Sequence, residues 1–296
     1  MKKQAKKRSQ SSPVARPASP FWDVAPFLGG LLYFLAVCLC ISLVPFYIIV
    51  VNSFKPYAEI SRDIFAWPGK NFTTYNYSEA WRRLNFANSL KNTAFISIFS
   101  NFGGVVFCSM AGYWITRHPN RFTKACFFVF IAFMAIPFQA LMIPFARLTN
   151  QLNLSNSLPG MVVCFWAMTV SISTFIVSGA VKAVPAEIES AANIDGCNAL
   201  QTFFLIVYPQ IKGSVFTVAT INTLWFWNDY LMTQMVLSKN ALRTIQISMQ
   251  SLFNEAFFAW DTALAALSLS ILPLFIFFVI AQKQVLAGAS EGAVKG

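Results

Sequence analysis

Apolar residues fall along this chain in runs of about 20 or more, separated by compact polar clusters. Six runs, near 28–51, 88–112, 124–146, 158–181, 203–227 and 262–282, are each long enough to cross about 30 Å of hydrocarbon as a helix. The pattern predicts an all-α integral membrane protein with six transmembrane helices. Residues 52–87 hold Lys55, Glu59, Arg62, Asp63, Lys70, Glu79, Arg82 and Arg83 and read as a solvent-exposed loop. Shorter connections are expected at 113–123 and 147–157, a polar insert at 182–202 and a second long polar stretch at about 228–261. The first run is too long for a signal-peptide core and lacks a small-x-small cleavage site, so it reads as an uncleaved anchor. Pro45, Pro137, Pro144, Pro209 and Pro273 fall inside runs, where neighbouring helices can re-satisfy the freed carbonyls.

Composition points the same way. Hydrophobic residues make up 56% of the chain and charged residues 11%, and the mean hydropathy is +0.57. A soluble domain carries about a quarter charged residues. Trp22, Tyr57, Trp67, Trp81, Tyr113, Trp114 and Trp260 lie near the ends of runs, as interfacial aromatics do. The net charge of +11 would suit a nucleic-acid partner, but Lys2, Lys3, Lys6, Lys7, Arg8 and Arg16 all precede the first run. That distribution reads as a cytoplasmic topogenic signal rather than a nucleic-acid or anionic-lipid site. With the tail inside, six crossings return both termini to the cytoplasm. Arg117, Arg121 and Lys124 agree with this orientation, whereas Arg82, Arg83 and Lys91 weigh against it. Six cysteines without a C-x-x-C pair, and the single His118, give no disulfide or metal framework.

There is no G-x-x-x-x-G-K-[ST] and no H-E-x-x-H; Gly288-Ala289-Ser290-Glu291-Gly292 matches the bare G-x-S-x-G string, but the single His118 offers it little acid–base chemistry. The runs hold almost no Asp, Glu, Lys or Arg, which argues against an ion-coupled carrier. Their polar residues are neutral. Ser171, Thr174 and Ser178 share one face of the fourth run; Thr217, Thr220 and Thr223 share a side of the fifth beside Asn222; Asn101 lies in the second. These groups suit either the lining of a path for a hydroxylated solute or interhelical hydrogen bonds of about 1 kcal/mol each.

The insert, PAEIESAANIDGCNALQTFFLIVYP from Pro185 to Pro209, carries the most information. Pro185 can open a helix because its missing N–H needs no partner there. Glu187 and Glu189 suit the positive end of the helix dipole. Ser190, Ala191 and Ala192 form a small-residue patch that another surface can approach. Gly196 can take the left-handed conformation that ends a helix, and Asn198 with Gln201 matches a capping box for the next. Two short helices meeting at a glycine are expected. A helix lying in the lipid headgroups is the alternative, but the segment has almost no apolar stripe and no basic face.

The spacing Ala191-Ala192, Gly196, Ile206, Pro209 resembles the signature of permease subunits in binding-protein-dependent ABC importers. Ile194-Asp195-Gly196 is similar to the triplet of the sugar-importing branch. Trp227-Asn228-Asp229-Tyr230-Leu231 resembles the segment that closes the family's penultimate span, and the terminal Gly292-Ala293-Val294-Lys295-Gly296 is similar to the tail of its maltose-type permeases. Ser190 stands where the signature has glutamate, and Tyr208 where it has leucine. The resemblance implies a type I ABC importer permease fold: a cytoplasmic tail at 1–26, a first helix and outer loop at 27–84, a five-helix core at 85–282 with coupling helices at 185–202, and a cytoplasmic tail at 283–296. It implies coupling to an ATPase through Glu187, Glu189, Ser190, Ala191, Ala192, Asp195 and Gly196, and tail contacts with that ATPase through Gly292, Val294, Lys295 and Gly296. Asn101, Ser171, Thr174, Ser178, Thr220 and Asn222 are the candidates for lining the path. The implied partners are a homologous second permease, two ATPase subunits that bind ATP and Mg, an extracytoplasmic solute-binding protein, a carbohydrate cargo and membrane lipid, with no cofactor on this chain. The expected location is a bacterial cytoplasmic membrane. A non-sugar cargo is the runner-up, and an ion-coupled carrier a weaker third.

Overall fold

A computed structural model describes residues 21–253 and 259–293, with side chains from 28 to 253 and from 259 to 283. The basic residues of the N-terminal tail, and Val294, Lys295 and Gly296, lie outside the described residues, as does the side-chain environment of Gly292. All regular structure among the described residues is helical. The chain divides at Ile48. The first unit is most of one apolar helix, α1 (Phe21–Asn52), whose last turn belongs to the second.

The second unit holds α2 (Tyr75–Arg83), α3 (Phe86–Arg117), α4 (Arg121–Met134), α5 (Phe138–Gln151), α6 (Leu158–Lys182), α7 (Ala186–Ile194), α8 (Ala199–Gln210), α9 (Lys212–Asn228), α10 (Leu231–Val236), α11 (Ile245–Phe253) and α12 (Trp260–Ala293). Four helices, α1, α3, α6 and α12, are long and apolar enough to cross a membrane alone. The other two expected crossings are bent pairs. α4 meets α5 at 112°, and α8 meets α9 at 81°. Pro137 explains the first break, because it has no N–H for the ladder and pushes Ile136 out of helical geometry. The fifth run is therefore not one straight rod over 203–227: the part through Gln210 lies with α8, and α9 starts at Lys212.

The α3–α6 pair is the most extensive helix contact. Small residues let the two backbones close up, as membrane helices require. A Cβ placed on Gly103 would sit 2.3 Å from Cζ2 of Trp166, and one on Gly112 would sit 3.2 Å from the Ser178 nitrogen. Below this, Val105, Val177, Val181, Val207, Ile211 and Val218 join α3, α6, α8 and α9 in a β-branched cluster. A second cluster packs α2, α3, α9, α11 and α12 around Ala80, Trp227, Ile245 and Ala265.

The loop expected to be solvated and the second long polar stretch are both partly interior. At the end of α1 and in the loop after it, Asn52, Ser53 and Lys55 are buried. Lys55 Nζ donates to Asn52 Oδ1 at 3.0 Å and to the Asp63 carbonyl at 3.2 Å, and Asn76 Nδ2 donates to the Ser53 and Lys55 carbonyls. The 228–261 stretch contains α10 and α11 and buries Met232, Val236, Leu237, Ile245 and Ile247. Apolar positions at helical spacing, interleaved with polar ones, make these segments caps over the helix ends.

Candidate functional site

Local chemistry shapes the hairpin formed by α7 and α8. Pro185 precedes the first turn of α7 in extended geometry. At the far end Asp195 is the C-cap, and Gly196 turns to φ +89°. The Gly196 N–H then donates to the Asn193 carbonyl at 3.1 Å and the Cys197 N–H to that of Ala192 at 3.0 Å. This is a Schellman ending, which satisfies carbonyls that the helix leaves unpaired. Asn198 opens α8 with the capping box its spacing predicts: Asn198 Oδ1 accepts from the Gln201 N–H and Gln201 Oε1 from the Asn198 N–H, both at 2.9 Å. Thr202–Val207 widens into a π turn before the bend at Ile211.

The seven candidate coupling residues divide between two faces. Glu187, Ser190, Ala191, Asp195 and Gly196 are exposed, while Glu189 and Ala192 are buried. Residues three apart share a helix face, so this pair faces inward, and Glu189 cannot offer its charge to an outside partner. Its carboxylate instead accepts a hydrogen bond from Tyr113 Oη at 2.9 Å and one from Arg117 Nε at 2.7 Å. Arg117 also donates to the Val184 carbonyl at 2.7 Å, just ahead of α7. Tyr113 and Arg117 lie one turn apart on α3, so α7 is fixed to the end of that helix by a partly buried ion pair. Tyr113 further packs on Phe203 at a centroid distance of 5.2 Å. Neither donor was singled out from the sequence for this role; their four-residue spacing was the available signal.

The outward surface is more apolar than the sequence suggests. Ile188 is 39% exposed, Leu200 58% and Ile194 87%. Ile194 immediately precedes Asp195 and the turn at Gly196.

The neutral polar residues of the bundle also part company. Ser171 and Asn222 line a cavity of about 380 Å³ between the α4–α5 bend, α6 and α9, together with Phe133, Ile136, Met168 and Trp225. Asn222 donates to Ser173 Oγ at 3.3 Å. The other four do not line this cavity. Asn101 Nδ2 donates to the Ala219 carbonyl at 2.7 Å and to Thr223 Oγ1. Thr220 bonds the Phe216 carbonyl, Ser178 reaches that of Gly112 at 3.4 Å, and Thr174 is fully buried. Among the described residues no three His, Cys, Asp or Glu side chains converge on a possible metal site.

Long apolar helices, two broken ones and an anchored polar hairpin at one end define a multi-pass helical membrane protein. The chain belongs to the family described as binding-protein-dependent transport system inner membrane component, whose profile matches residues 104–288. It is 33% identical over 90% of its length, and 96% of the relative's, to the "Probable starch degradation products transport system permease protein AmyC" of Thermoanaerobacterium thermosulfurigenes. It is 32% identical over 88% of its length, and 94% of the relative's, to the melibiose/raffinose/stachyose import permease protein MelC of Bacillus subtilis. A chain in the crystal structure of a bacterial ABC transporter involved in the import of the acidic polysaccharide alginate shares the fold, with a TM-score of 0.76 at 20% identity, covering 92% of this chain and 99% of that one. The protein is thus a multi-pass permease of the cytoplasmic membrane.

Proposed function

We propose that this chain is one permease subunit of an ATP-driven importer and that it passes a carbohydrate, an oligosaccharide in particular, delivered by an extracytoplasmic binding protein. The hairpin supports the reading: its exposed edge of Glu187, Ser190, Ala191, Ile194, Asp195 and Gly196 is the docking face for an ATPase encoded separately, which binds ATP and Mg. Two ATPase copies and a homologous second permease complete the assembly, with Gly292, Val294, Lys295 and Gly296 of the tail as further ATPase contacts. The relatives named for starch products and for melibiose, raffinose and stachyose support the cargo class. The cavity holding Ser171 and Asn222 is the segment of the path on this subunit.

Force would travel along what is rigid. Closure of the ATPase dimer displaces α7; the Glu189–Arg117 pair carries the displacement to α3, and the Schellman turn carries it through α8 to the bend at Ile211. The hairpin shares its end of the bundle with Arg117, close in sequence to Arg121 and Lys124. This placement supports a cytoplasmic hairpin and both termini inside.

Cysteine placed at Ala191 crosslinks to the co-purified ATPase and resists an impermeant external thiol reagent; external labelling would refute the orientation. Gly196→Pro, which cannot reach φ +89°, leaves the protein inserted but ends ATP-driven sugar uptake in proteoliposomes. Normal uptake by that variant would remove the hairpin from the mechanism.

A further inference from the structure

A second cavity of about 330 Å³ lies between the end of α9, α11 and α12, and its lining includes Trp227, Asn228, Tyr230, Gln246, Gln250 and Ser270. This is at the small end of the range of about 300–1,000 Å³ for ligand pockets. Trp227 is only 8% exposed, yet its indole Nε1 is a buried donor without an acceptor. Buried donors at such depth are nearly always paired, and this one belongs to a side chain lining an open space. Gln246 and Gln250 stand one turn apart on α11 and both line the cavity. Ser270 Oγ donates to the Ala266 carbonyl at 2.8 Å, which leaves its lone pairs to accept. Among the described residues no Asp, Glu, Lys or Arg lines the space.

We infer that this cavity is a binding site for one neutral glycosyl ring, separate from the cavity at Ser171 and Asn222. Side-chain amides offer donors and acceptors together, as vicinal hydroxyls demand. The Trp227 and Tyr230 rings supply flat apolar faces for the C–H face of a pyranose, and the indole N–H finds its acceptor in a ring hydroxyl. An uncharged lining rejects ionic solutes, whose desolvation nothing there would offset. That the ring belongs to the transported solute rests on the carbohydrate reading above; a glycolipid headgroup carries the same chemistry.

The test uses the full chain with its co-purifying partners in nanodiscs, prepared without glycoside detergents. Tryptophan emission is followed during titration with maltotriose, raffinose and glycine betaine, and again in nanodiscs containing glucosyl diacylglycerol. The expected result is a saturable change with a glycosyl probe and none with betaine. The change is lost in Trp227→Phe, and in Gln246→Ala, which keeps the fluorophore, its midpoint moves about tenfold to higher concentration. Free sugar and glycolipid arms identify the source. No saturable change with any glycosyl probe, or an unaltered midpoint in Gln246→Ala, overturns the site. Sugar uptake is measured in parallel. Uptake with a silent pocket sinks this site and leaves the transport reading standing; a responsive pocket without uptake does the reverse.

Discussion

Replacing Glu189 with alanine should release α7 from α3 while the bundle stays folded. The two side chains are 10% and 17% exposed for Glu189 and Arg117, so the pair is largely desolvated. Removing one member of such a pair costs roughly 3–5 kcal/mol, because the survivor stays buried without its counter-charge. Arg117 keeps the Val184 carbonyl and some solvent, which places the expectation near the low end, about 3 kcal/mol. That corresponds to roughly a 100-fold rise in the population of detached α7, since each 1.4 kcal/mol is tenfold. Hydrogen exchange at the amides of 186–194 reads the detachment directly, and sugar uptake per ATP hydrolysed in proteoliposomes reads its consequence. Arg117→Ala should act alike, and the double variant should lose far less than the sum, with a coupling of about 1–3 kcal/mol. Unchanged exchange in Glu189→Ala, or strictly additive effects, would refute the strut.

Three further perturbations follow from the packing. Gly103→Ala puts a Cβ 2.3 Å from Trp166 Cζ2 and disturbs the Trp166 Nε1 hydrogen bond to the Phe99 carbonyl; a loss of about 1–3 kcal/mol should appear as a lower thermal midpoint in lipid. Glu79, held by Arg82 and Arg83, has its carboxyl lowered from 4.5 to about 2. Its contribution to α2 is full above pH 4.5 and is lost as pH falls toward about 2; exchange in α2 should rise across that window and Glu79→Gln should abolish the dependence. Asp229 Oδ2 accepts from the Thr233 N–H at 2.8 Å and Oγ1 at 2.6 Å, so Asp229→Ala should loosen α10 by about 1 kcal/mol, read by local exchange.

The long helices were legible because an apolar run of fixed length has few alternatives in lipid. The Asn198–Gln201 cap and the Gly196 turn were legible too, since each depends on neighbouring residues alone. The direction of Glu189 was not. A nine-residue helix with carboxylates at 187 and 189 shows no preference until Tyr113 and Arg117, more than 70 positions away, arrive beside one of them. The third and fifth runs read as straight for a related reason. Hydropathy averages over a break, and Pro137 resembles the other run prolines until packing selects the bend. Ser171 and Asn222 were picked out with four similar residues, and only tertiary contacts decided which of them reach a cavity.

The break at Pro137 has an electrical corollary. α4 contains 14 residues from Arg121, about 21 Å at 1.5 Å each, so its carboxyl end stops short of the far side of a hydrocarbon slab about 30 Å thick. The negative pole of its peptide dipoles thereby lies at the break, where Phe133, Met134 and Ile136 border the Ser171–Asn222 cavity. On the proposed path, hydroxyl protons at this cavity would be drawn toward main-chain oxygens, and anions repelled. Cargo selectivity at this point would be written in the backbone, beyond the reach of most side-chain substitutions.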